Sequence, residues 1–249
     1  MYKKIFIGIS IFVVVIIVGI AAYVLRPSAQ PSSLVTAIPV EIEATSQPTP
    51  EAQTAGDPSG DGGEATVADQ PTEAAIFTIV SQESEVRFIL DELLRGAPKT
   101  VVGATNQVSG EIAVDYAQPG NAKVGTILVN ARTLTTDNDF RNRAINNEIL
   151  DTGAYEFITF TPTQISGFPE NPALGQAFEF QITGDLTIRE ITQEVTFDVQ
   201  ASAQSETRII GSASAVVTRA DYGLEIPSVP GVADVDEEVR LEIDFVAEK

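Results

Sequence analysis

Residues 178–199 read FEFQITGDLTIREITQEVTFDV, and apolar side chains recur there at almost every second position. Phe178, Phe180, Ile182, Leu186 and Ile188 fall on one side of an extended chain, and Glu179, Gln181, Thr183, Asp185 and Thr187 on the other. After a break at Arg189 to Thr192 the pattern resumes with Val195, Phe197 and Val199 against Thr196 and Asp198. A period of two belongs to strands, so the stretch predicts a β-hairpin with one wet and one dry face.

The same texture runs from Phe77 to Lys249. Alternating runs open with FTIV at 77, SEVRFIL at 84, SGEIAVDY at 109, AKVGTILVNA at 122, YEFITFTPTQI at 155, TRIIGSASAVVT at 207 and EEVRLEIDFVA at 237. With the hairpin they predict about eight or nine strands, an all-β domain built as an antiparallel barrel or sandwich. One helical interruption, TDNDFRNRAINNEIL at 136, carries Phe140, Ala144, Ile145 and Ile149 at helix spacing, with Thr136 or Asp137 placed to cap its start. That helix is expected to cover one end of a barrel.

Two segments precede the domain. Residues 5–25, IFIGISIFVVVIIVGIAAYVL, carry no charge, and about 21 residues at a rise of about 1.5 Å match a bilayer core of about 30 Å. Lys3 and Lys4 stand before it, and beyond Arg26 no Lys or Arg occurs until Arg87. The basic flank therefore belongs on the cytoplasmic side and the rest of the chain outside, periplasmic or at the cell surface. A cleaved signal peptide has an apolar region of about 7–15 residues and then a small-x-small site, where this chain has Arg26-Pro27. The expectation is an uncleaved single-pass transmembrane anchor over residues 1–26.

Residues 27–75 are rich in Pro, Ser, Thr, Gly and acids, a composition expected to stay disordered and self-repelling as a tether. Within it Asp57, Ser59, Asp61 and Gly62 resemble the start of a calcium loop. Position twelve, however, is Ala68 and the acid Asp69 comes one residue late, so no metal is expected.

Composition excludes several functions. With 15 basic against 35 acidic residues the formal charge is -20, which repels a phosphate backbone and argues against nucleic acid. Cysteine and histidine are both absent, so there is no thiol nucleophile, no Ser-His-Asp triad and no ordinary zinc site. No resident cofactor is expected. An enzyme would have to use carboxylates, and the clusters are Asp137 with Asp139, Glu148 with Asp151, and Asp234 to Glu238. With no Trp and five Tyr the chain lacks the aromatic platform that sugar hydrolysis favours, and these acids read as solvated turns of a non-enzyme.

Several segments, in order, resemble the YceI-like family of lipocalin-like barrels that bind polyisoprenoid lipids. FTIVSQESEVRFIL is similar to that family's opening, and VSGEIAVD to its Gly-x-Ile strand. LTTDNDFRNRAINNEILDTGAYEFITF looks like its strand, short helix and return strand. ITGDLTIREITQEVTFDV resembles its Gly-x-Leu-Thr-Ile-Arg signature, and TRADYGL and VADVDEEVRLEID its closing segments. The chain departs from the pattern at Glu190, where the family often has Gly, in the helix region, which lacks a His common in relatives, and at EILD, which replaces a doubled aromatic. The resemblance covers 77–249 and implies a lipocalin-like antiparallel β-barrel of about eight strands with one short helix.

What the dry face touches is left open by alternation alone. Phe88, Ile112, Val114, Phe178, Phe180, Ile182, Leu186, Phe197, Val199, Leu241, Ile243 and Phe245 form a filled core if the barrel packs on itself. They line a lipid site if it is hollow, as the resemblance implies. Ile209, Gly211, Ala213, Ala215 and Val217 on one strand face, with Gly184, either leave space or let strands curve and pack closely. If the interior holds an isoprenoid lipid, Arg141, Arg143 and Arg189 are candidates to contact its head group, and otherwise they pair with Glu148, Asp139 or Glu190 at the surface, the commoner fate of such residues. The alternative is an envelope-binding module that uses outward residues such as Thr183, Thr187 and Thr196 around a filled core.

Overall fold

Strand alternation lets one face of a sheet leave water while the other stays in it, and here the dry faces meet by closing the sheet on itself. The computed structural model describes residues 27–31, 35–40 and 74–249. Its strands are β1 (Ala75–Ile79), β2 (Glu85–Leu94), β3 (Ala97–Thr105), β4 (Val108–Ser109), β5 (Glu111–Val114), β6 (Lys123–Val124), β7 (Ile127–Asn130), β8 (Phe157–Ser166), β9 (Phe178–Ile188), β10 (Ile191–Ser205), β11 (Arg208–Thr218), β12 (Val232–Ala233) and β13 (Glu238–Glu248). The expected anchor at 5–25 and the calcium-like patch at 57–69 lie outside the described residues. Among the described residues no helix is long and apolar enough to cross a membrane.

The thirteen strands group into eight staves. β1 and β2 run end to end along one side of β13, with Ile79 opposite Ala247 and Val86 opposite Ile243. β3, β4 and β5 form the next stave, then β6 with β7, and then β8, β9, β10, β11 and β13 singly, while β12 extends the end of β2. The seam closes through Phe77 opposite Ile112 and Val108 opposite Val129, so the pairings return to where they began. All are antiparallel, as the alternation predicts. β3 is not among the expected runs because Pro98 and Gly103 interrupt its pattern, yet it pairs with β2 from Val86–Thr105 to Leu94–Ala97.

The hairpin turn is shorter than the expected break. Ile188 pairs with Ile191, leaving Arg189 and Glu190 as the turn, and the positive φ falls on Arg189 at 58°. Glu190 is therefore spared the backbone that favours glycine.

Glycines on three staves lie beneath aromatic rings. A Cβ on Gly103 would sit 2.0 Å from Phe88, one on Gly211 2.6 Å from Phe245, and one on Gly184 2.8 Å from Phe160 and 2.5 Å from the Thr161 carbonyl. These glycines mark close approach rather than empty space. Because the Gly184 obstruction includes backbone beside the bulge at Pro162 to Gln164, Gly184→Ala is expected to destabilise the barrel by about 1–3 kcal/mol, read as a lower urea midpoint.

The helical segment is one α-helix, α1 (Asp139–Ala144), continued by a turn of π-helix over Ile145–Ile149. Asn138 caps it, accepting from the Phe140 and Arg141 amides at 2.9 and 3.1 Å, in place of the expected Thr136 or Asp137. Thr136 instead donates to Asn142 Oδ1, and Asp137 pairs with Lys99 and Arg141. Ile145 is buried as helix spacing predicts, but Phe140, in the first turn of the helix, is 74% exposed.

Two stretches of the N-terminal linker rest on the barrel. Arg132 donates to the Gln30 carbonyl at 3.0 Å, and the Val40 amide donates to Glu111 Oε2 at 2.9 Å.

Candidate functional site

The buried apolar side chains form two clusters instead of one continuous core. One surrounds Leu134, Ile145, Leu150, Leu186, Ile188 and Tyr222 under the helix, and the other surrounds Phe77, Ile79, Val108, Val129 and Ala247. A cavity of about 590 Å³ occupies the barrel interior. All twelve inward residues singled out from the alternation line it: Phe88 from β2, Ile112 and Val114 from β5, Phe178, Phe180, Ile182 and Leu186 from β9, Phe197 and Val199 from β10, and Leu241, Ile243 and Phe245 from β13. Nine of them, all but Ile182, Leu186 and Val199, are only half-buried although they face inward. Side chains of a close-packed interior would retain no such surface.

The small-residue strand contributes to this space through Ala213, which lines the cavity between Val199 and Ile243, its partners on either side. Sequence reasoning missed Phe160, Phe168 and Tyr222 on the wall. Phe168 lies in the β8–β9 loop, where no alternation signals its direction; its ring meets those of Phe178 and Phe180 edge to face at 5.2 Å. Phe160 meets Phe197 at 4.9 Å.

The three arginines expected near a head group are placed differently from one another. Arg141 lines the cavity, but its guanidinium is engaged by buried Glu92 at 2.7 Å and by Asp137 at 2.5 Å. Lys99 first, and Arg141 second among the cations, hold the Asp137 carboxyl below its usual range. This network straps α1 to the end of β2. Arg143 stands away from the cavity with its guanidinium over the Phe140 ring at 5.5 Å, and Arg189 lies over Tyr155 at 5.8 Å while reaching Glu190 at 3.6 Å. The acids weighed for catalysis do not converge on a cleft: Asp137 is paired, and Asp234 and Asp236 sit exposed in the loop before β13. Among the described residues no group of three or more His, Cys, Asp or Glu is placed to hold a metal.

The family model of the YceI-like domain matches residues 77–247, nearly all of this barrel. The chain belongs to that family. Its fold resembles a polyisoprenoid binding domain from Saccharophagus degradans implicated in plant cell wall breakdown, with a TM-score of 0.54 at 17% identity over 69% of this chain and 97% of that one. It also resembles BcnA of Burkholderia cenocepacia, with a TM-score of 0.51 at 20% identity over 68% and 98% of the two chains. At such identities the likeness is one of fold. No curated protein matches the chain.

In this YceI-like domain the segment TRADYGL supplies two buried groups at the helix-covered end. Arg219, 7% exposed, donates to the carbonyls of Asp236 at 2.8 Å, Val235 at 3.2 Å and Leu224 at 3.3 Å, and to the Glu237 carboxylate at 2.9 Å. It thereby ties the 224–237 loop to the cavity wall. Tyr222 is 1% exposed with its hydroxyl unpartnered, and burial first, then the charge of Asp221, pushes its pKa up to about 12.

A phenol whose pKa is raised on folding contributes stability that is complete below the unfolded value of about 10 and lost as pH rises through about 12. The YceI-like domain is therefore expected to lose roughly 3 kcal/mol over that window through Tyr222. Tyr222→Phe should remove this part of the alkaline loss, as measured by urea unfolding at pH 9 to 12.

Proposed function

We propose that the protein is a membrane-tethered, extracytoplasmic binding protein that holds one isoprenoid lipid, a polyisoprenoid or isoprenoid quinone, inside the barrel for transport, storage or sensing. The observation that carries this reading is the hollow interior: about 590 Å³ walled by apolar side chains from five of the strands singled out above. That volume is typical of small-molecule sites, and an eight-stave barrel has room for one elongated ligand. Each methylene moved from water into such a wall contributes about 0.8 kcal/mol, so a partly enclosed isoprenoid tail binds tightly without a dedicated polar contact. Family membership and the polyisoprenoid binding of the Saccharophagus degradans relative support the same ligand class. The tether and the outward placement rest on the apolar stretch at 5–25 and its basic flank. The role is one of binding, with no bond made or broken.

The test is to purify the full chain from membranes in mild detergent, extract it with organic solvent and identify the extract by mass spectrometry. A polyisoprenoid recovered at close to one per chain is the expected result. A folded protein that yields none, and that takes up no isoprenoid in titration against a cavity-seeking dye, would sink the reading.

A further inference from the structure

We propose that the helix-covered end of the barrel rests on the surface of the bilayer that holds the chain's own N-terminal apolar stretch, so that the cavity opens directly onto lipid. The inference rests on the reading of the interior as a lipid site and adds where the lipid enters.

Three observations place one apolar rim at one end. Phe140 is 74% exposed and Val229 44%, and both also line the cavity, so the wall continues outward as uncovered surface. Both flank the turn that joins β2 to β3. Glu92 and Lys99 fix the α1 side through Arg141 and Asp137, and Arg95 N–H donates to the Gly231 carbonyl while Val232 pairs with Leu94 on the other.

The chain enters at this same end. Arg132, which holds Gln30, follows β7, whose last residue Asn130 lies opposite Phe157 at the start of β8, and Thr159 of β8 lies opposite Thr187 near the Arg189 turn. Val40 is held further along the barrel, at Glu111 of β5, so residues 30 and 40 mark a path leading away from the rim. Leu25 ends the apolar stretch, and five residues of fully extended chain reach at most about 18 Å. The end of that stretch therefore lies within about 18 Å of Gln30. The linker beyond Val40 then adds no distance between membrane and barrel, because the chain has already touched the barrel at Gln30.

Charge selects the kind of surface. Arg95 and Arg143 are exposed at the rim, and Glu225, Asp234, Asp236 and Glu237 are exposed on the 224–237 loop, which leaves the rim net acidic, as is the whole chain at -20. Arg143 lies over the Phe140 ring and can keep its charge among head groups while the ring enters the acyl boundary. A zwitterionic surface suits this arrangement better than an anionic one.

The chain contains no cysteine, so an introduced thiol can be labelled alone. The full chain is reconstituted in phosphatidylcholine vesicles carrying a nitroxide on the acyl chain, with a nitrobenzoxadiazole label either at Phe140→Cys or at Leu174→Cys, which is 60% exposed in the β8–β9 loop at the opposite end. Quenching at position 140 at least threefold greater than at 174 is expected. Equal quenching, greater quenching at 174, or a chain that does not float with the vesicles overturns the proposal. Isoprenoid uptake is measured on the same samples: quenching without uptake removes the lipid-site reading but leaves the docking, and uptake without quenching at 140 removes the docking alone. As a second variant, Arg143→Glu, at an exposed rim residue that stands away from the cavity, is expected to slow transfer of a fluorescent isoprenoid from donor vesicles severalfold with the amount held at equilibrium unchanged; an unchanged rate counts against docking.

Discussion

Ala213→Phe is expected to abolish isoprenoid uptake while the barrel remains folded. Ala213 faces the cavity between Val199 and Ile243, so a phenyl ring there enters open space and displaces ligand instead of packed neighbours. If the ring excludes one five-carbon isoprene unit, at about 0.8 kcal/mol per carbon, the loss is about 4 kcal/mol, close to a thousandfold in affinity. Overpacking of a filled core costs about 1–3 kcal/mol, whereas filling a void adds contacts, so the melting temperature should hold or rise. Titration with a fluorescent isoprenoid, alongside a thermal melt, checks both halves. A variant that binds as the parent does places the ligand elsewhere, and one that binds nothing but also melts far lower would show that the site was never open.

Arg219→Met is expected to have the largest effect on stability. The methionine fills similar space but leaves the carbonyls of Leu224, Val235 and Asp236 without their charged donor in a partly buried setting. Glu237 is 65% exposed, so its ion pair contributes little, and the expected loss of about 3 kcal/mol comes mainly from the carbonyls. With a urea slope of about 2 kcal/mol/M the midpoint should fall by about 1.5 M. Glu237→Gln, which removes the charge and leaves the carbonyl bonds in place, should lose less than about 1 kcal/mol. Equal losses in the two variants would assign the effect to the ion pair instead. Because Arg219 secures the 224–237 loop beside Val229, Arg219→Met should also loosen the rim of the cavity.

Much of this molecule was legible in the chain because sheet faces declare themselves at period two. Every run whose alternation was clean became a strand of the barrel, and the twelve residues taken from the dry faces all line the interior, since direction relative to the sheet is a local property. The parts that escaped are those whose environment is set by distant segments. β3 hides because Pro98 and Gly103 blur its period, and Gly103 is explained only by the Phe88 ring across the pair. Phe140 sits at core spacing on α1 and is yet exposed, because helix spacing states which residues share a face and not what lies against that face. An ion pair for Arg141 was foreseeable, but only with an acid near it in the chain, whereas Glu92, 49 residues earlier, engages it.

The sequence by itself determined that this domain is an antiparallel β structure, which side chains face inward, and that no cysteine or histidine chemistry takes place in it. Whether those inward faces fill the barrel or enclose a space was decided only by the tertiary structure. Alternation records the direction of each side chain, but a cavity is a difference between the volume that eight closed staves enclose and the volume their side chains occupy, and that difference exists only once the sheet has closed.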